Sequence, residues 1–351
     1  MGKIEEIDRN FKVAATVVKD GLAFYNVEQP PFSVHGVFRE GDRFRRLPET
    51  VAKATSEGVT FLHSNTAGGR VRFRTNSQRV AIRAEMPVVQ HMGSFTTAGS
   101  AGMDLYADNV YRHSYIPHHE MKEGSWESIA DLGSSQWREI TLNLPLYSDV
   151  SSLCVGLDED AALEAAAPYD VKVPVVYYGS SITQGGCAAR PGMSYQSIVS
   201  RRLRCEYINL GFSGNAKAEE SMIEYIKNLT MSVFVYDYDH NAPTAEYLQN
   251  THEKMFKAIR AAQPDLPIVM MTAPIFAPNE AWAERSRIVE KTYQNAVEAG
   301  DKNVYFLNGA QLMALCGGEG TVDGCHPTDL GFFSMAQAVG DVLEPLLSAK
   351  E

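Results

Sequence analysis

A serine, an aspartate and a histidine stand in this sequence in the order that a serine-dependent hydrolase uses. The serine belongs to the stretch Gly179–Gly185, which reads GSSITQG, and Asp323 and His326 follow late in the chain, three positions apart. A serine hydroxyl becomes nucleophilic when an imidazole removes its proton, and a carboxylate keeps that imidazole oriented. The residue types and their order therefore predict a Ser/His/Asp hydrolase, with Ser180 and Ser181 both open as the nucleophile.

The predicted strands position these side chains at one edge of a sheet. A β-branched and aromatic run, Val173–Tyr178, predicts a buried strand, and the glycines after it predict the turn into a helix. Open α/β sheets bind ligands at the carboxyl ends of their strands. Turns after the next two predicted strands supply the N–H of Gly214 and the side-chain amide of Asn241. Both are candidate donors to the oxyanion of a tetrahedral intermediate, where losing one donor costs roughly 2.7–4 kcal/mol.

The chain changes character near residue 160. Before it, short alternating strands separated by turns are typical of a β-sandwich or jelly roll. After a charged, alanine-rich connector over 158–169, strands alternate with helices, which predicts a parallel sheet covered on both faces. We therefore expect a β-sandwich domain over residues 1–160 and an α/β domain over 170–351. The predicted strands are 71–74, 80–84, 103–107, 140–144, 153–157, 173–178, 207–210, 233–236, 268–272 and 304–307, and the predicted helices include 244–263, 279–299 and 329–347.

Composition and charge narrow the class of protein. The chain has 351 residues, of which 44% are hydrophobic and 21% charged, as in an ordinary globular protein. Its net charge of −11 argues against nucleic acid as a partner, because the phosphates would be repelled. The first thirty residues show no apolar leader, and no run is long enough to span a bilayer. We expect a cytoplasmic protein without a membrane partner, and a leader already removed from the sequence is the alternative.

The cysteines and the paired histidines do not indicate a metal site. Five cysteines are scattered without paired C-x-x-C spacing, which favours free thiols in a reducing compartment over a disulfide between Cys316 and Cys325. Cys325 lies beside His326 but follows no nucleophile turn, so we expect it to contribute packing. The stretch His118–Glu120 has metal-ligand residue types, but neighbouring strand residues point to opposite faces, so a solvated loop is favoured.

The ordered blocks resemble those of the SGNH (GDSL-type) hydrolase family. The stretch Gly179–Gly185 is similar to the first block of that family, Gly214 to its second, Asn241 to its third, and Asp323 with His326 to its fifth. This resemblance covers the second half of the chain. It implies a flavodoxin-like three-layer α/β/α domain that uses neither a metal nor an organic cofactor.

The resemblance also implies a role for each residue of the site. It selects Ser181 as the nucleophile, His326 as the general base and acid, and Asp323 as the group that orients His326. The oxyanion hole would consist of the backbone N–H groups of Ser181 and Gly214 and the side-chain amide of Asn241.

Two positions depart from the family pattern and put the usual substrate contacts in doubt. Ser180 stands where the family usually has an aspartate, and Asp239–Asn241 lacks the glycine of the usual third block. Ser180, His240 and Arg190 are therefore candidate substrate contacts. The alternatives are a histidine hydrogen-bonded at a strand end for His240 and a surface arginine for Arg190.

The predicted activity is hydrolysis of a small acyl ester, with an acetylated sugar or oligosaccharide as the expected substrate. The sugar is an analogy of architecture, since an added β domain can wall an active-site groove. Three alternatives stay open: acyl transfer to an acceptor other than water, a lipase or thioesterase, and an inactive relative that binds carbohydrate. The sequence leaves the acyl length, the alcohol and the oligomeric state open.

Overall fold

Residues 21–348 are described by a computed structural model, and their first half consists mainly of antiparallel strands. One sheet has the order β1-β11-β6-β9, the other has the order β12-β5-β10-β7-β8 with β2 also paired to β5, and β3 and β4 form a hairpin. The strands are β1 (Leu22–Asn26), β2 (Ser33–His35), β3 (Phe38–Glu40), β4 (Arg43–Arg45), β5 (Arg70–Thr75), β6 (Arg79–Met86), β7 (Met103–Ala107), β8 (Val110–Tyr115), β9 (Gly124–Asp131), β10 (Arg138–Asn143), β11 (Ser152–Asp158) and β12 (Leu163–Glu164).

An apolar core between the two sheets explains the alternating sequence pattern of these strands. In β6, for example, Ile82, Ala84 and Met86 are buried in this core, whereas Arg83 and Glu85 are exposed on the other face. A period of two is what a half-buried strand requires. The predicted β-sandwich is confirmed, and all five strands predicted in this half form within two residues of the predicted bounds. The more specific jelly-roll pattern stays a prediction.

The second half contains a five-stranded parallel sheet with the order β14-β13-β15-β16-β17. This is the flavodoxin-like order, in which the connections reverse direction beside the first strand. The strands are buried on both faces and therefore read as continuous apolar runs. Their bounds are β13 (Val171–Gly179), β14 (Cys205–Gly211), β15 (Val233–Asp237), β16 (Ile268–Met271) and β17 (Val304–Leu307).

Helices cover both faces of the parallel sheet, which confirms the predicted three-layer α/β/α arrangement. Helices α6, α7 and α8 pack on one face, and α5, α9 and α10 pack on the other. The three helices named from the sequence form as α7, α8 and α10. The helices are α1 (Glu49–Thr55), α2 (Glu57–Leu62), α3 (Thr97–Ser100), α4 (Ser181–Gln184), α5 (Tyr195–Leu203), α6 (Glu220–Lys227), α7 (Ala245–Ala262), α8 (Glu280–Glu298), α9 (Gly309–Leu312) and α10 (Asp329–Ser348).

The two halves share a core that the sequence pattern did not predict. Helices α1 and α2 lie in the first half of the chain, yet Ala52 and Val59 pack into the core on the α6–α8 face of the parallel sheet. The buried guanidinium of Arg46 donates to the carbonyl oxygens of Asn209 at 3.0 Å and Gly211 at 2.8 Å, at the end of β14. The domain boundary near residue 160 stays a prediction. Helices α1 and α2 precede this boundary in the sequence but pack against the half that follows it. Within residues 21–348, no helix is long and apolar enough to cross a membrane.

Candidate active site

A tight turn at the carboxyl end of β13 places Ser181 at the edge of the sheet. Ser181 is the first residue of α4, and Ser180 caps this helix by accepting a hydrogen bond from the N–H of Ile182 at 3.1 Å. The helix ends after one turn because Gly185 adopts a left-handed conformation with φ +104°. Gly179 precedes the turn, and a Cβ atom there would lie 1.6 Å from Oδ1 of Asp237, so only glycine fits. The local sequence thus fixes the bend that presents the Ser181 hydroxyl.

Ser181, His326 and Asp323 form a continuous hydrogen-bonded chain. The Oγ atom of Ser181 lies 2.8 Å from Nε2 of His326, and Nδ1 of His326 lies 2.8 Å from Oδ2 of Asp323. A carboxylate at Nδ1 keeps the proton on that nitrogen, which leaves Nε2 free to accept the proton of the serine. The structure therefore brings Ser181 together with two residues that follow it by 142 and 145 positions, Asp323 and His326.

The carboxylate of Asp323 is held by donors from its own loop. Its Oδ1 atom accepts hydrogen bonds from the backbone N–H groups of Cys325 at 3.0 Å and His326 at 2.7 Å. Partial burial raises the pKa of Asp323, but these backbone donors and the imidazole of His326 outweigh that effect and lower the pKa below its usual value. Asp323 is therefore ionised at neutral pH and can stabilise a positive charge that develops on His326.

Two loops from neighbouring strands carry the candidate oxyanion donors. Gly214 follows β14 with φ +68°, and Asn241 follows β15. The side-chain amide of Asn241 donates to the carbonyl oxygen of Phe212 at 3.1 Å, which joins the two loops. Because an amide nitrogen carries two hydrogens, the second N–H of Asn241 stays available to a ligand.

A buried glutamine that the sequence pattern did not single out supports the Gly214 loop. The Oε1 atom of Gln184 accepts from the N–H of Ser213 at 3.0 Å, directly before Gly214. Its Nε2 atom donates to Oδ1 of Asn65 at 3.1 Å and to the carbonyl of Leu146 at 3.2 Å. Gln184 is fully buried, so all three bonds form away from water. Its place in the nucleophile block was visible in the sequence, but its partners in the first half of the chain were not.

The first half of the chain also reaches the nucleophile directly. The hydroxyl of Tyr147 donates to the carbonyl oxygen of Ser181 at 3.2 Å. A Cβ atom on Gly186 would lie 3.0 Å from both that carbonyl and the Tyr147 hydroxyl, so the contact is close packed. No local motif marks Tyr147, and only the packing of the two halves reveals it.

Asp237 lies directly beneath the nucleophile turn. Its Oδ1 atom accepts from the hydroxyl of Thr183 at 2.6 Å and from the N–H of Ser180 at 3.3 Å. Burial raises the pKa of Asp237 to about 7, and the neighbouring charge of His240 opposes that rise. The nucleophile turn is therefore anchored to a buried carboxyl group at the end of the adjacent strand.

Each of the three candidate substrate contacts has hydrogen-bond partners within the chain. Ser180 is fully buried and its hydroxyl caps α4, and a contact between Ser180 and substrate stays a prediction. The side chain of His240 is only 5% exposed, and its Nδ1 atom lies 2.9 Å from Oδ1 of Asp239. This is the histidine bonded at a strand end that was the alternative.

Arg190 joins the two halves of the chain. Its guanidinium donates to the fully buried carboxylate of Asp104 at 3.0 Å and to the hydroxyl of Tyr106. The N–H of Gly192 donates to the same carboxylate at 2.8 Å. Arg190 is therefore a partly buried arginine at the junction of the two halves, and a contact with substrate stays a prediction.

The cysteines are free thiols, and residues 21–348 contain no cluster of His, Cys, Asp and Glu that fits a metal ion. Burial raises the pKa of Cys325 to about 11, so this thiol is protonated at neutral pH and is a poor nucleophile. His119 lies 3.8 Å from Glu120, and the side chains of both residues are exposed, as expected for a solvated loop.

Comparisons with known families cover both halves of the chain. The profile of the GDSL-like lipase/acylhydrolase family matches residues 172–344. A second profile, named GxDLY and described as the N-terminus of SGNH-hydrolase-type esterases, matches residues 22–163. The stretch Gly102–Tyr106 reads GMDLY and carries the Asp104 and Tyr106 side chains that hold Arg190. The GMDLY motif of the first half therefore contacts the second half through Arg190.

A comparison with curated proteins gave no match.

Solved structures with this fold include several enzymes. A protein described as a GDSL-like lipase from Bacteroides ovatus is 27% identical, with a TM-score of 0.82 over 93% of this chain and 98% of its own. The salicylyl-acyltransferase SsfX3 of a tetracycline biosynthetic pathway is 18% identical, with a TM-score of 0.76 over 94% and 98%. The acetyl xylan esterase Est2A from Butyrivibrio proteoclasticus is 12% identical, with a TM-score of 0.60 over 94% and 100%. These similarities extend over both halves of the chain.

Proposed function

Because this chain belongs to the SGNH (GDSL-type) hydrolase family and is a carboxylic-ester hydrolase, we propose that it cleaves a small acyl ester through a covalent acyl-enzyme on Ser181. The observation that carries this proposal is the chain of two 2.8 Å contacts from Ser181 through His326 to Asp323. It is the arrangement that lets an imidazole activate a serine hydroxyl.

These positions support a reaction in two stages, acylation of Ser181 and then deacylation. The Oγ atom of Ser181 attacks the ester carbonyl while Nε2 of His326 takes the hydroxyl proton. The oxyanion then receives hydrogen bonds from the N–H groups of Ser181 and Gly214 and from the amide of Asn241. When the tetrahedral intermediate collapses, His326 returns the proton to the leaving alcohol. A water molecule, deprotonated by His326, attacks the acyl-serine, and His326 returns that proton to the Oγ atom of Ser181 as the acid is released.

An acetyl group on a carbohydrate is the proposed substrate. The nucleophile favours a small acyl group, because Ser181 is only 7% exposed and packs beneath Tyr147 and the loop that contains Gly186. The sugar is supported by the architecture, since the fold extends over both halves of an acetyl xylan esterase and of a family two carbohydrate esterase from Clostridium thermocellum studied with a cello-oligosaccharide. That likeness is one of fold, and the screen of acetylated oligosaccharides tests the alcohol directly.

Acyl transfer is the second candidate, and one observation favours it. The fold of a salicylyl-acyltransferase matches 94% of this chain with a TM-score of 0.76, which is higher than that of the carbohydrate esterases. The same acyl-serine serves both reactions, and they differ only in whether water or another hydroxyl attacks it. Adding sugar or aromatic alcohols to the assay distinguishes them, because a transferase forms the new ester faster than the free acid.

The proposal is tested by a substrate screen on the native chain and two serine variants. We expect turnover of p-nitrophenyl acetate to exceed that of the decanoate, and acetylated oligosaccharides to be deacetylated. Ser181→Ala should abolish turnover and labelling by a fluorophosphonate, which reacts only with an activated serine. The neighbouring variant Ser180→Ala is the matched control, since it removes a helix cap at a cost of about 0.5–2 kcal/mol in stability and leaves the nucleophile in place.

Three results contradict parts of this proposal in distinguishable ways. Unchanged turnover in Ser181→Ala removes the assigned nucleophile. A preference for decanoate favours a lipase or thioesterase. Absence of fluorophosphonate labelling in the native chain, together with oligosaccharide binding, identifies an inactive carbohydrate-binding relative.

A further inference from the structure

A small cavity between the β-sandwich and the parallel-sheet half is lined by four arginines. Arg70 and Arg72 lie two positions apart on β5, so both side chains leave the same face of that strand. Arg201 and Arg204 come from the last turn of α5 and the residue that caps it. None of the proposed catalytic residues lines this cavity, so it is separate from the active site.

Two of the four arginines are neutralised by acidic partners. The guanidinium of Arg70 pairs with Glu206 and donates to the hydroxyl of Tyr169 at 3.0 Å. Arg204 pairs with Asp170 at 2.7 Å. These two pairs contribute no net charge to the cavity.

Within residues 21–348, the Arg72 side chain and the Nη1 atom of Arg201 have no hydrogen-bond acceptor. Arg72 has a single acidic neighbour among the described residues, Glu139 at 3.9 Å, which is too far for a hydrogen bond, although the Arg72 side chain is only 9% exposed. The Nη1 atom of Arg201 is completely buried and has no hydrogen-bond partner within residues 21–348. Both guanidinium groups stack on aromatic rings, Arg72 on Tyr169 at 4.2 Å and Arg201 on Tyr106 at 4.2 Å. The rings orient the cations but accept no N–H in the plane of the guanidinium.

Buried cations without acceptors are costly, and burial accordingly lowers the pKa of Arg201. Planar guanidinium groups match the oxygen atoms of carboxylates and phosphates through paired N–H donors. Two polar residues of the adjacent strand β10 also line the cavity: Thr141 pairs in register with Arg72, and Asn143, whose amide donates to Asp104 at 2.7 Å, pairs with Arg70. The cavity therefore presents unused donors and an excess of positive charge, despite the net negative charge of the chain.

We propose that this cavity binds a phosphate-sized oxyanion, held by Arg72 of the β-sandwich and Arg201 of the parallel-sheet half. The anion supplies acceptors to both guanidinium groups, and it adds a further link between the two halves of the chain. Its source is either free inorganic phosphate or the phosphoryl group of a larger molecule, and both offer the same oxygen atoms.

The test measures thermal unfolding and calorimetric binding of the full chain with inorganic phosphate, against sodium chloride at the same ionic strength. We expect phosphate to raise the Tm by about 2–4 °C when its concentration is a hundred times the Kd, because a ligand that binds only the folded state stabilises it. A parallel titration with glucose 6-phosphate identifies the source. Tighter binding than inorganic phosphate indicates the phosphoryl group of a larger molecule, and weaker binding indicates the free ion.

Two pairs of variants locate the site. Arg201→Gln should raise the Kd for phosphate at least about tenfold, as expected when a charged hydrogen-bond partner is removed. Its neighbour Arg202→Gln is the matched control, since Arg202 pairs with Asp341 and Glu344 on α10. On β5, Arg72→Gln should weaken binding in the same way, and Arg74→Gln should not, because Arg74 pairs with Glu164.

The proposal is overturned if the native chain gains no more stability from phosphate than from chloride. It is also overturned if Arg72→Gln and Arg201→Gln bind phosphate as tightly as their controls, which would indicate an adventitious ion only. Because Arg72 and Arg201 lie on different elements, one substitution still tests the cavity if the other variant fails to fold. Because every readout is binding or unfolding, the outcome does not depend on the proposed esterase activity.

Discussion

The nucleophile turn and the loop that carries Asp323 and His326 meet at one active site but are held in opposite ways. Ser181 is 7% exposed, and its turn is bonded to side chains far away in the sequence, such as Asp237 and Tyr147. The side chains of Asp323 and His326 are 42% and 30% exposed, and the bonds that hold Asp323 span two or three residues.

Because of this difference, substitutions in the two regions should affect the unfolding free energy and the reaction rate to different extents. The nucleophile is preorganised by the packing of the whole molecule, so a change beneath it should alter the free energy of unfolding as well as the rate. The Asp323–His326 loop is organised by its own backbone, so a change there should alter the rate and leave the unfolding free energy nearly constant.

The largest effect on rate is expected where the effect on stability is smallest. His326→Ala should lower kcat for p-nitrophenyl acetate by about 10⁴–10⁶-fold, because the general base is lost. The unfolding free energy should change by about 0.5 kcal/mol or less, since the side chain is partly exposed. Stopped-flow kinetics and urea unfolding measure the two quantities. A large loss of stability would show that the loop is part of the packed structure after all.

A substitution of Asn241 tests the contribution of the candidate oxyanion donors. Asn241→Ala should lower kcat by roughly 10²–10³-fold with little change in KM, because the donor acts on the oxyanion of the transition state. Asn241→Asp keeps the size of the side chain but replaces the donor with an acceptor, and it should be at least as slow. If only KM rises in Asn241→Ala, the amide binds the substrate and does not stabilise the oxyanion.

A substitution of Gln184, which lies in the buried nucleophile turn, should lower both the stability and kcat. Gln184→Met leaves the N–H of Ser213 and the carbonyl of Leu146 without partners, at about 1–3 kcal/mol for each buried group. We expect kcat to fall about tenfold as well, because the Gly214 loop loses its support. The exposed Gln249→Met on α7 is the control and should change neither quantity. A loss of stability with kcat unchanged would show that Gln184 is structural only.

The smallest effect on rate is expected for Asp237→Asn. This substitution should instead change how the free energy of unfolding depends on pH. Burial raises the pKa of Asp237 from 3.8 to about 7 on folding, so its protonated form stabilises the folded state. This contribution is fully present below about pH 4 and is lost as the pH rises through about 7, at about 1.4 kcal/mol per pH unit. Asp237→Asn resembles the protonated form and should lack this dependence. Parallel stability curves for the native chain and the variant would contradict the shift.

The sequence was most informative where function depends on short stretches. The glycine-rich block after Val173–Tyr178 predicted both the strand and the turn at Ser181, because β-branched runs and glycines have strong local preferences. The stretch Asp323–His326 was equally readable, since its hydrogen bonds form within the loop. In contrast, the sequence did not indicate that Ser180 is buried, because burial cannot be read from a polar residue in a turn.

The sequence by itself predicted the reacting groups, and it determined the alternation of strands and helices and their order along the chain. Only the tertiary structure decided what holds them: Gln184 reaching Asn65, Arg190 reaching Asp104, and Arg72 and Arg201 facing a common cavity. The physical reason is the range of the interactions. Local preferences are set by neighbouring residues, whereas a buried polar group finds its partner wherever the folded chain brings an acceptor, and no pattern in the sequence encodes that distance.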